Sequence, residues 1–472
     1  MNFTMSVARF QAVYGNNKKI LLWLVFLLYG AINILLLWSV ESGVHLAEGA
    51  DAGSWYSPAL ALLKYGSFVV LDSPETLMTY RPPLYPLFEA IMLWISNGEI
   101  LSIIIGQIVL LWITGIFAGR IVGMFIPKYQ IIALSLIVFN PNALGIAHLV
   151  QSDTLYALCV VLSVWGLLKY TLSNDKLKWA IVTSIFLGIG CLVRPTAQYI
   201  IFLLPIIFPL VNVLYGHKNI FKKSIVNGII GAVVSGVILL PWVMHNEEAG
   251  WGYVLVTSQI KTVYLRDSVI YAETRDKGVS RGIASNNILE GEEKYIDSRR
   301  ELWLQMSDKE MSDELVEYYS EKLISYPAYV LLVGYLDSFV DFFGGGGSVN
   351  FHNLLSIDVV KAIEKNKTEI YSSRLEAAFD SLSDAPVQAI LISVLSFLYV
   401  IIIRGLGLLG ILELIKRKEH ALLLITTGLI TYFAMAALFV GNSRYRLPVE
   451  IGFVILALYG VLFIKDFKKI KT

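Results

Sequence analysis

The chain of 472 residues is 56% hydrophobic and only 16% charged, with a formal net charge of +1. Soluble domains average about a quarter charged residues, so a water-soluble core is excluded as the destination of this much apolar sequence. No nucleic acid partner is expected of so balanced a chain, and the two cysteines, Cys159 and Cys191, both inside apolar runs, imply no disulfide framework.

The fold class read from the sequence is an all-α polytopic membrane protein with about ten transmembrane helices. A bilayer-spanning helix needs ~20 apolar residues. Runs of that kind are predicted as spans at 20–40, 99–125, 131–147, 154–170, 179–193, 197–215, 225–244, 387–415, 421–440 and 449–464. The first follows Arg9, Lys18 and Lys19, is too long for the apolar core of a signal peptide and has no small-residue cleavage site, so it is expected to stay as an anchor.

With a cytoplasmic N-terminus, Arg120, Lys128, Lys169, Lys176, Lys178, Lys218, Lys222, Lys223, Lys416, Arg417, Lys418 and the C-terminal lysines all fall on the cytoplasmic side. Both termini are therefore expected inside a cytoplasmic (inner or plasma) membrane. The apolar stretch 83–95 is too short to cross and reads as an interfacial helix of the outer leaflet. Counting it as a span would invert everything downstream.

Three regions follow: an N-terminal transmembrane module, 1–245, with a first outer loop at 41–98; a long outer loop at 246–386; and the last three spans, 387–472. Function is expected in the two loops. Within the long loop, Leu315, Tyr318, Tyr319 and Leu323 lie at helical spacing in 308–332, which predicts an amphipathic helix against the membrane surface, broken at Pro327. The tetraglycine 344–347 reads as a flexible loop. Gly405-Leu-Gly407-Leu-Leu-Gly410 matches a dinucleotide fingerprint only formally; inside an apolar span without a βαβ unit it predicts close helix packing.

Charged residues at the outer ends of the spans carry the chemistry. Asp51 opens a short helix with apolar teeth at Trp55, Ala59, Leu62 and Gly66. In Tyr80-Arg81-Pro82-Pro83-Leu84-Tyr85-Pro86 the prolines stiffen the backbone and hold Arg81 near the surface, where a guanidinium engages phosphate oxygens bidentately. Asp153 opens the fourth span; helix capping by Ser152 or Asp153 is the plainer alternative. Arg194-Pro195 interrupts apolar sequence between the fifth and sixth spans, and an arginine there needs a polar cavity, a partner or a snorkelling route. Arg444-Tyr445-Arg446-Leu447-Pro448 delivers two more cations to the outer face, against the inward-positive rule, and so invites an anionic ligand.

Taken together, Asp51 with its Trp55, Ala59 and Gly66 spacing, Arg81-Pro-Pro-Leu-Tyr-Pro, Ser152-Asp153-Thr154, Leu192-Val-Arg194-Pro195-Thr196, Pro241-Trp242 and Arg444-Tyr-Arg-Leu-Pro448 resemble the GT-C superfamily of polyprenyl-phosphate-sugar glycosyltransferases, in particular its aminoarabinose transferase and protein mannosyltransferase branches. The likeness covers nearly the whole chain in order and sidedness. It departs at Ala52, where many relatives carry a second acid, and at Asp153, where many have Glu.

The resemblance implies that Asp51 is the general base of an inverting transfer and that Asp153 orients the acceptor or holds an arginine. It further implies that Arg81, Arg194, Arg444 and Arg446 bind the donor phosphate, and that Trp55, Tyr80, Tyr85 and Tyr445 position substrate. The partners would be a polyprenyl-phosphate-linked sugar, a glycan, lipid or protein acceptor, and membrane lipids. His45, His148, His245 and His352 have no paired ligand spacing, so no metal site is assigned. A divalent ion bridging Asp51, Asp153 and the phosphate stays as an alternative. A transporter or flippase of lipid-linked glycans, or a non-catalytic binder of them, is the rival function.

Overall fold

Every backbone amide inside a bilayer must find its partner within its own segment or a closed barrel, and this chain meets that demand with helices. The computed structural model describes residues 2–39, 51–355 and 385–471. Val40, at the end of the first predicted span, and His45 lie outside the described residues. Apart from one two-stranded antiparallel sheet, Val69–Val70 with Ser73–Leu77, the regular structure among the described residues is helical.

Among the described residues eight helices are long and apolar enough to cross a membrane: Lys18–Trp38, Leu101–Phe125, Asp153–Leu172, Lys176–Val193, Pro195–Leu214, Phe221–Glu248, Val387–Lys416 and Ser443–Phe467. They coincide with eight of the ten predicted spans. The predicted third span is a pair, Pro127–Val138 and Pro141–Ala147, bent by 53°. Pro141 cannot donate a backbone hydrogen bond and forces the residue before it out of helical geometry. Asn140 accordingly takes an extended conformation (φ −62°, ψ 120°), and its side chain caps the second piece. The ninth is the shorter helix His420–Ala436, prolonged by the turn Leu438–Val440.

Lipid tails are as apolar as leucine, so close backbone approach, rather than hydrophobic exclusion, holds such helices together. The last helix is buried nearly throughout. It packs against Val387–Lys416 with glycine on both sides: a Cβ at Gly410 would overlap the Leu456 carbonyl, and one at Gly460 would overlap that of Leu406. Within the glycine string at 405–410, Gly410 is therefore the close-packing position, whereas a Cβ at Gly405 would meet open space.

Helix Leu84–Ile95 has 12 residues, a length of ~18 Å against a hydrocarbon core of ~30 Å. It buries Tyr85, Glu89, Ala90 and Leu93 and exposes Leu87, Ile91, Trp94 and Ile95, the two-faced pattern of an interfacial helix.

Two expectations for the long loop change. The apolar face of Asp308–Ser325 does not lie on a membrane surface. Leu315, Tyr318, Tyr319 and Leu323 pack with Val269, Ile270, Ala284 and Ile288 in a small core of their own, because Ser258–Lys277 and Arg281–Asp297 offer that face a protein partner. The chain does break at Pro327, turning by 105° into Ala328–Gly344.

Against the expectation of a flexible loop, three residues of the tetraglycine, Gly345 to Gly347, form a close-packed strap; a Cβ at Gly344, the last residue of the preceding helix, would meet nothing. A Cβ at Gly346 would press on Ser396, one at Gly345 on the Asp341 carbonyl and Ser443, and one at Gly347 (φ 76°) on Asn142. Side chains are missing there because neighbouring elements fill the space they would need.

Candidate active site

Four local irregularities bring charged side chains to one end of the helix bundle. Asp51 precedes helix Ala52–Tyr65 but makes no capping bond with its side chain, which leaves both carboxylate oxygens for other partners. Asp153 is the first residue of its helix, and neither it nor Ser152 caps with a side-chain hydrogen bond. The capping alternative for this motif therefore fails. Arg194 sits before Pro195 in extended conformation (φ −147°, ψ 125°), as a residue preceding proline must, and so projects from the break between two spans. Arg444 lies in the short turn Ser443–Arg446, held by the Asn442 side chain, which accepts from the amides of Arg444 (2.9 Å) and Tyr445 (3.4 Å).

These side chains meet. Arg444 donates through Nη1 to Asp51 Oδ2 at 2.6 Å and through Nε to Asp153 Oδ2 at 2.7 Å. The other oxygen of Asp153 takes Arg194 Nη1, and the other oxygen of Asp51 lies 3.3 Å from Arg81 Nη2. Asp153 is fully buried and Arg194 nearly so, whereas about a third of the Asp51 side chain (35%) faces solvent. Aromatic rings back the cations: Arg81 stands 4.3 Å over Trp55 and 4.7 Å over Tyr80, and Arg194 stands 5.4 Å over Tyr445.

Three guanidiniums thus face two carboxylates, one positive charge in excess. Arg444 Nη2 is buried and has no hydrogen-bond partner among the described residues, so one strong donor stands ready for an anion. Burial by itself would raise the Asp51 pKa, but the charges of Arg444 and then Arg81 override it and hold this carboxyl below its ordinary value of 3.8.

Two residues grouped with the site by sequence stand apart from this cluster. Arg446, only two positions from Arg444, turns the other way and is fully buried. It donates to Glu450 Oε1 and to the carbonyl oxygens of Phe342 and Gly345. Tyr85 lies one layer behind, edge-on to Trp55 at 5.3 Å, with its hydroxyl donating to Gln107 Oε1 at 3.0 Å.

Other participants escaped sequence reasoning. Ser54 Oγ accepts both Nε (3.0 Å) and Nη2 (2.6 Å) of Arg81; its position three residues after Asp51, one turn on, was the available signal. Glu89 is fully buried with neither carboxylate oxygen hydrogen-bonded among the described residues. Burial pushes its pKa well above the usual 4.5. Helix Ser258–Lys277 overhangs the cluster. Burial and, to a smaller degree, the negative charge of Asp51 keep Asp267 above its ordinary value, and Tyr271 follows one turn later.

Among the cavities near the cluster, two differ sharply in chemistry. One is an apolar space of about 240 Å³ among the helices of the fourth, fifth, sixth and ninth spans. Its lining includes Tyr156, Gly190 and Ala197, each within one turn of Asp153 or Arg194. The other is a polar cleft of about 430 Å³, lined by the glycine strap, Gln151 and Arg444 among others.

A divalent ion does not fit here. The oxygens of Asp51 and Asp153 are already engaged by guanidiniums, and a further cation would enter a site with positive charge in excess. Ala52, where many members of the resembled superfamily carry a second acid, is buried against Ile104 and Val150. Among the described residues no group of three His, Cys, Asp or Glu is disposed to hold a metal.

Residues 80–245 match a family model described as dolichyl-phosphate-mannose-protein mannosyltransferase. The matched stretch contains Arg81, Asp153 and Arg194 and leaves Asp51 and Arg444 outside. No curated protein and no solved structure matches the chain.

Proposed function

The match over residues 80–245 supports a glycosyltransferase of the GT-C superfamily, and from that premise we propose that the cluster around Asp51 moves a sugar from a polyprenyl-phosphate donor to an acceptor on the extracytoplasmic face of the cytoplasmic membrane. The sidedness rests on the positive-inside rule. Lys169 and Lys176 sit at the ends of helices Asp153–Leu172 and Lys176–Val193 opposite to those that present Asp153 and Arg194.

The observation that carries this reading is the buried, unpartnered Nη2 of Arg444 within a cluster of excess positive charge; an apolar cavity opens within one turn of Asp153 and Arg194 along the chain. A polyprenyl phosphate has both halves of the complementary chemistry. Its chain suits a dry groove between helices, and its phosphate suits guanidiniums already oriented by Asp51 and Asp153.

In the transfer, an acceptor O–H or N–H loses its proton to the Asp51 carboxylate as its heteroatom forms a bond to the anomeric carbon. The bond from that carbon to the phosphate oxygen breaks, and its electron pair leaves on polyprenyl phosphate. Attack from the face opposite the leaving group inverts the anomeric centre. Arg81, Arg194 and Arg444 are fixed before the reaction and neutralise the charge that develops on the leaving phosphate, the usual source of the largest catalytic term.

Paired with two arginines, Asp51 is a poor base. The donor corrects this. Its phosphate, bound by Arg81 and Arg444 where they stand, offsets their positive charge and so raises the basicity of the Asp51 carboxylate only once a sugar is in place to be transferred. Full-length protein reconstituted with a labelled polyprenyl-phosphate sugar should release polyprenyl phosphate in the presence of acceptor and fail to do so as Asp51→Asn. Movement of the lipid between leaflets with no release of polyprenyl phosphate would replace transfer by transport.

A further inference from the structure

We infer that the polar cleft between the glycine strap and Arg444 is the acceptor subsite, and that it is built for a saccharide. This rests on the transfer reading above and specifies its second substrate.

Position comes first. The cleft and the apolar cavity have no lining residue in common. The apolar cavity nears the cluster through the neighbours of Asp153 and Arg194, the cleft through Arg444 itself and through Gln151, two residues before Asp153. Donor and acceptor therefore have separate approaches to one charge cluster, and the guanidinium that lines the cleft touches Asp51. A hydroxyl at the inner end of the cleft lies one side chain from the proposed base.

Chemistry selects the class. The lining is mostly neutral and hydrogen-bonding: the amides of Gln151, Asn350 and Asn442 and the hydroxyls of Ser348 and Ser443. Gln151 is almost fully buried, and its Oε1 has no partner among the described residues. A buried acceptor left in that condition is costly unless a ligand donates to it. Tyr271, with Arg281 standing 4.8 Å over its ring, and Asp341 complete the polar lining.

The glycine strap adds bare backbone. At Gly345, Gly346 and Gly347 the Cβ directions are taken up by Ser443, Ser396 and Asn142, so a ligand can approach the peptide groups themselves. A volume of about 430 Å³ lies within the ~300–1,000 Å³ usual for ligand pockets. A peptide acceptor would be better served by a strand edge, and the described strands border a different cleft, beside Tyr80.

Val349 lines the cleft and is exposed, so Val349→Trp fills it without touching the charge cluster. Leu304→Trp adds the same bulk at an exposed position in the long loop and serves as control. Full-length protein in nanodiscs is titrated with neutral hexose and N-acetylhexosamine tetrasaccharides, with saturation-transfer NMR as the readout, in parallel with labelled polyprenyl phosphate.

The expected result is saccharide binding to wild type and Leu304→Trp, at least tenfold weaker binding to Val349→Trp, and unchanged binding of the lipid phosphate to all three. No saccharide binding to the wild type, equal binding to Val349→Trp, or binding of a Ser/Thr-bearing peptide that Val349→Trp abolishes would overturn the assignment. Cleft-dependent saccharide binding in a protein that never releases polyprenyl phosphate from the donor would instead defeat the transfer reading and the acceptor role with it, and leave a saccharide site.

Discussion

Arg444 Nη1 lies 2.6 Å from Asp51 Oδ2 although 393 positions separate the two residues. The same guanidinium bonds Asp153, so one side chain from the last turn before the final helix ties the first loop to the fourth span. Two residues further on, Arg446 is more deeply buried and makes contacts that never reach the cluster.

That contrast separates binding from stability. Arg444→Ala should weaken polyprenyl phosphate binding by at least tenfold while the protein still inserts and purifies, because Arg194 continues to face Asp153. Arg446→Ala leaves the fully buried Glu450 with Arg404 as its remaining cation and strips the donors from two buried carbonyls. Breaking a buried pair typically costs ~3–5 kcal/mol, so its effect should be a lower Tm and poor yield, with donor affinity kept in whatever protein survives. Thermal unfolding and lipid-phosphate binding, measured on both variants, check this; the reverse assignment of effects would refute it.

Asp51→Asn should lower transfer by ~10²–10⁴-fold, the span of a general acid–base group, with donor binding retained. The carboxyl also has a stability signature. Its folded pKa is depressed, so its ion pairs stabilise the fold above the ordinary value of 3.8, and that stabilisation is lost as pH falls through the lower folded value. The Tm of the wild type should therefore drop below pH 3.8 more steeply than that of Asp51→Asn. Parallel Tm curves would mean that Arg444 and Arg81 do not hold Asp51 in this way.

Glu89 gives the opposite sign. Burial raises its folded pKa well above 4.5, so the unfolded chain sheds this proton first, and stability falls as pH climbs from 4.5 toward the folded value. Glu89→Gln cannot ionise. Its Tm should match the wild type at the acid end of that window and exceed it at neutral pH, as read from unfolding scans across the range.

Gly410→Val tests the seam between the helices Val387–Lys416 and Glu450–Lys471. A side chain there meets the Leu456 carbonyl, a fixed backbone atom that cannot rotate away. The variant should be unstable in detergent while Gly405→Val, with open space around its Cβ, behaves as wild type.

Much of this was legible in the chain. Hydropathy and the lysine distribution located the spans, and Asp51, Arg81, Asp153, Arg194 and Arg444 stood out as charges at apolar borders, where each needs a reason to be. Other features had no one-dimensional signature. Arg446 looked like a second Arg444, since two neighbours on a turn differ only in direction. Glu89 looked like one polar residue on an interfacial helix, and only its neighbours reveal that both oxygens lack partners. The glycine strap read as slack because its restraint comes from Asn142, Ser396 and Ser443, which are remote in sequence.

By itself the sequence determined that the chain lives in a bilayer and that its conspicuous acids and arginines sit where spans begin and end, because the cost of placing a residue in lipid is paid residue by residue. Which guanidinium meets which carboxylate, which donor is left over, and where a dry cavity and a wet cleft open beside them were decided only by tertiary structure. Ion pairing and cavity shape depend on distances and directions between segments hundreds of positions apart, and composition carries no record of those.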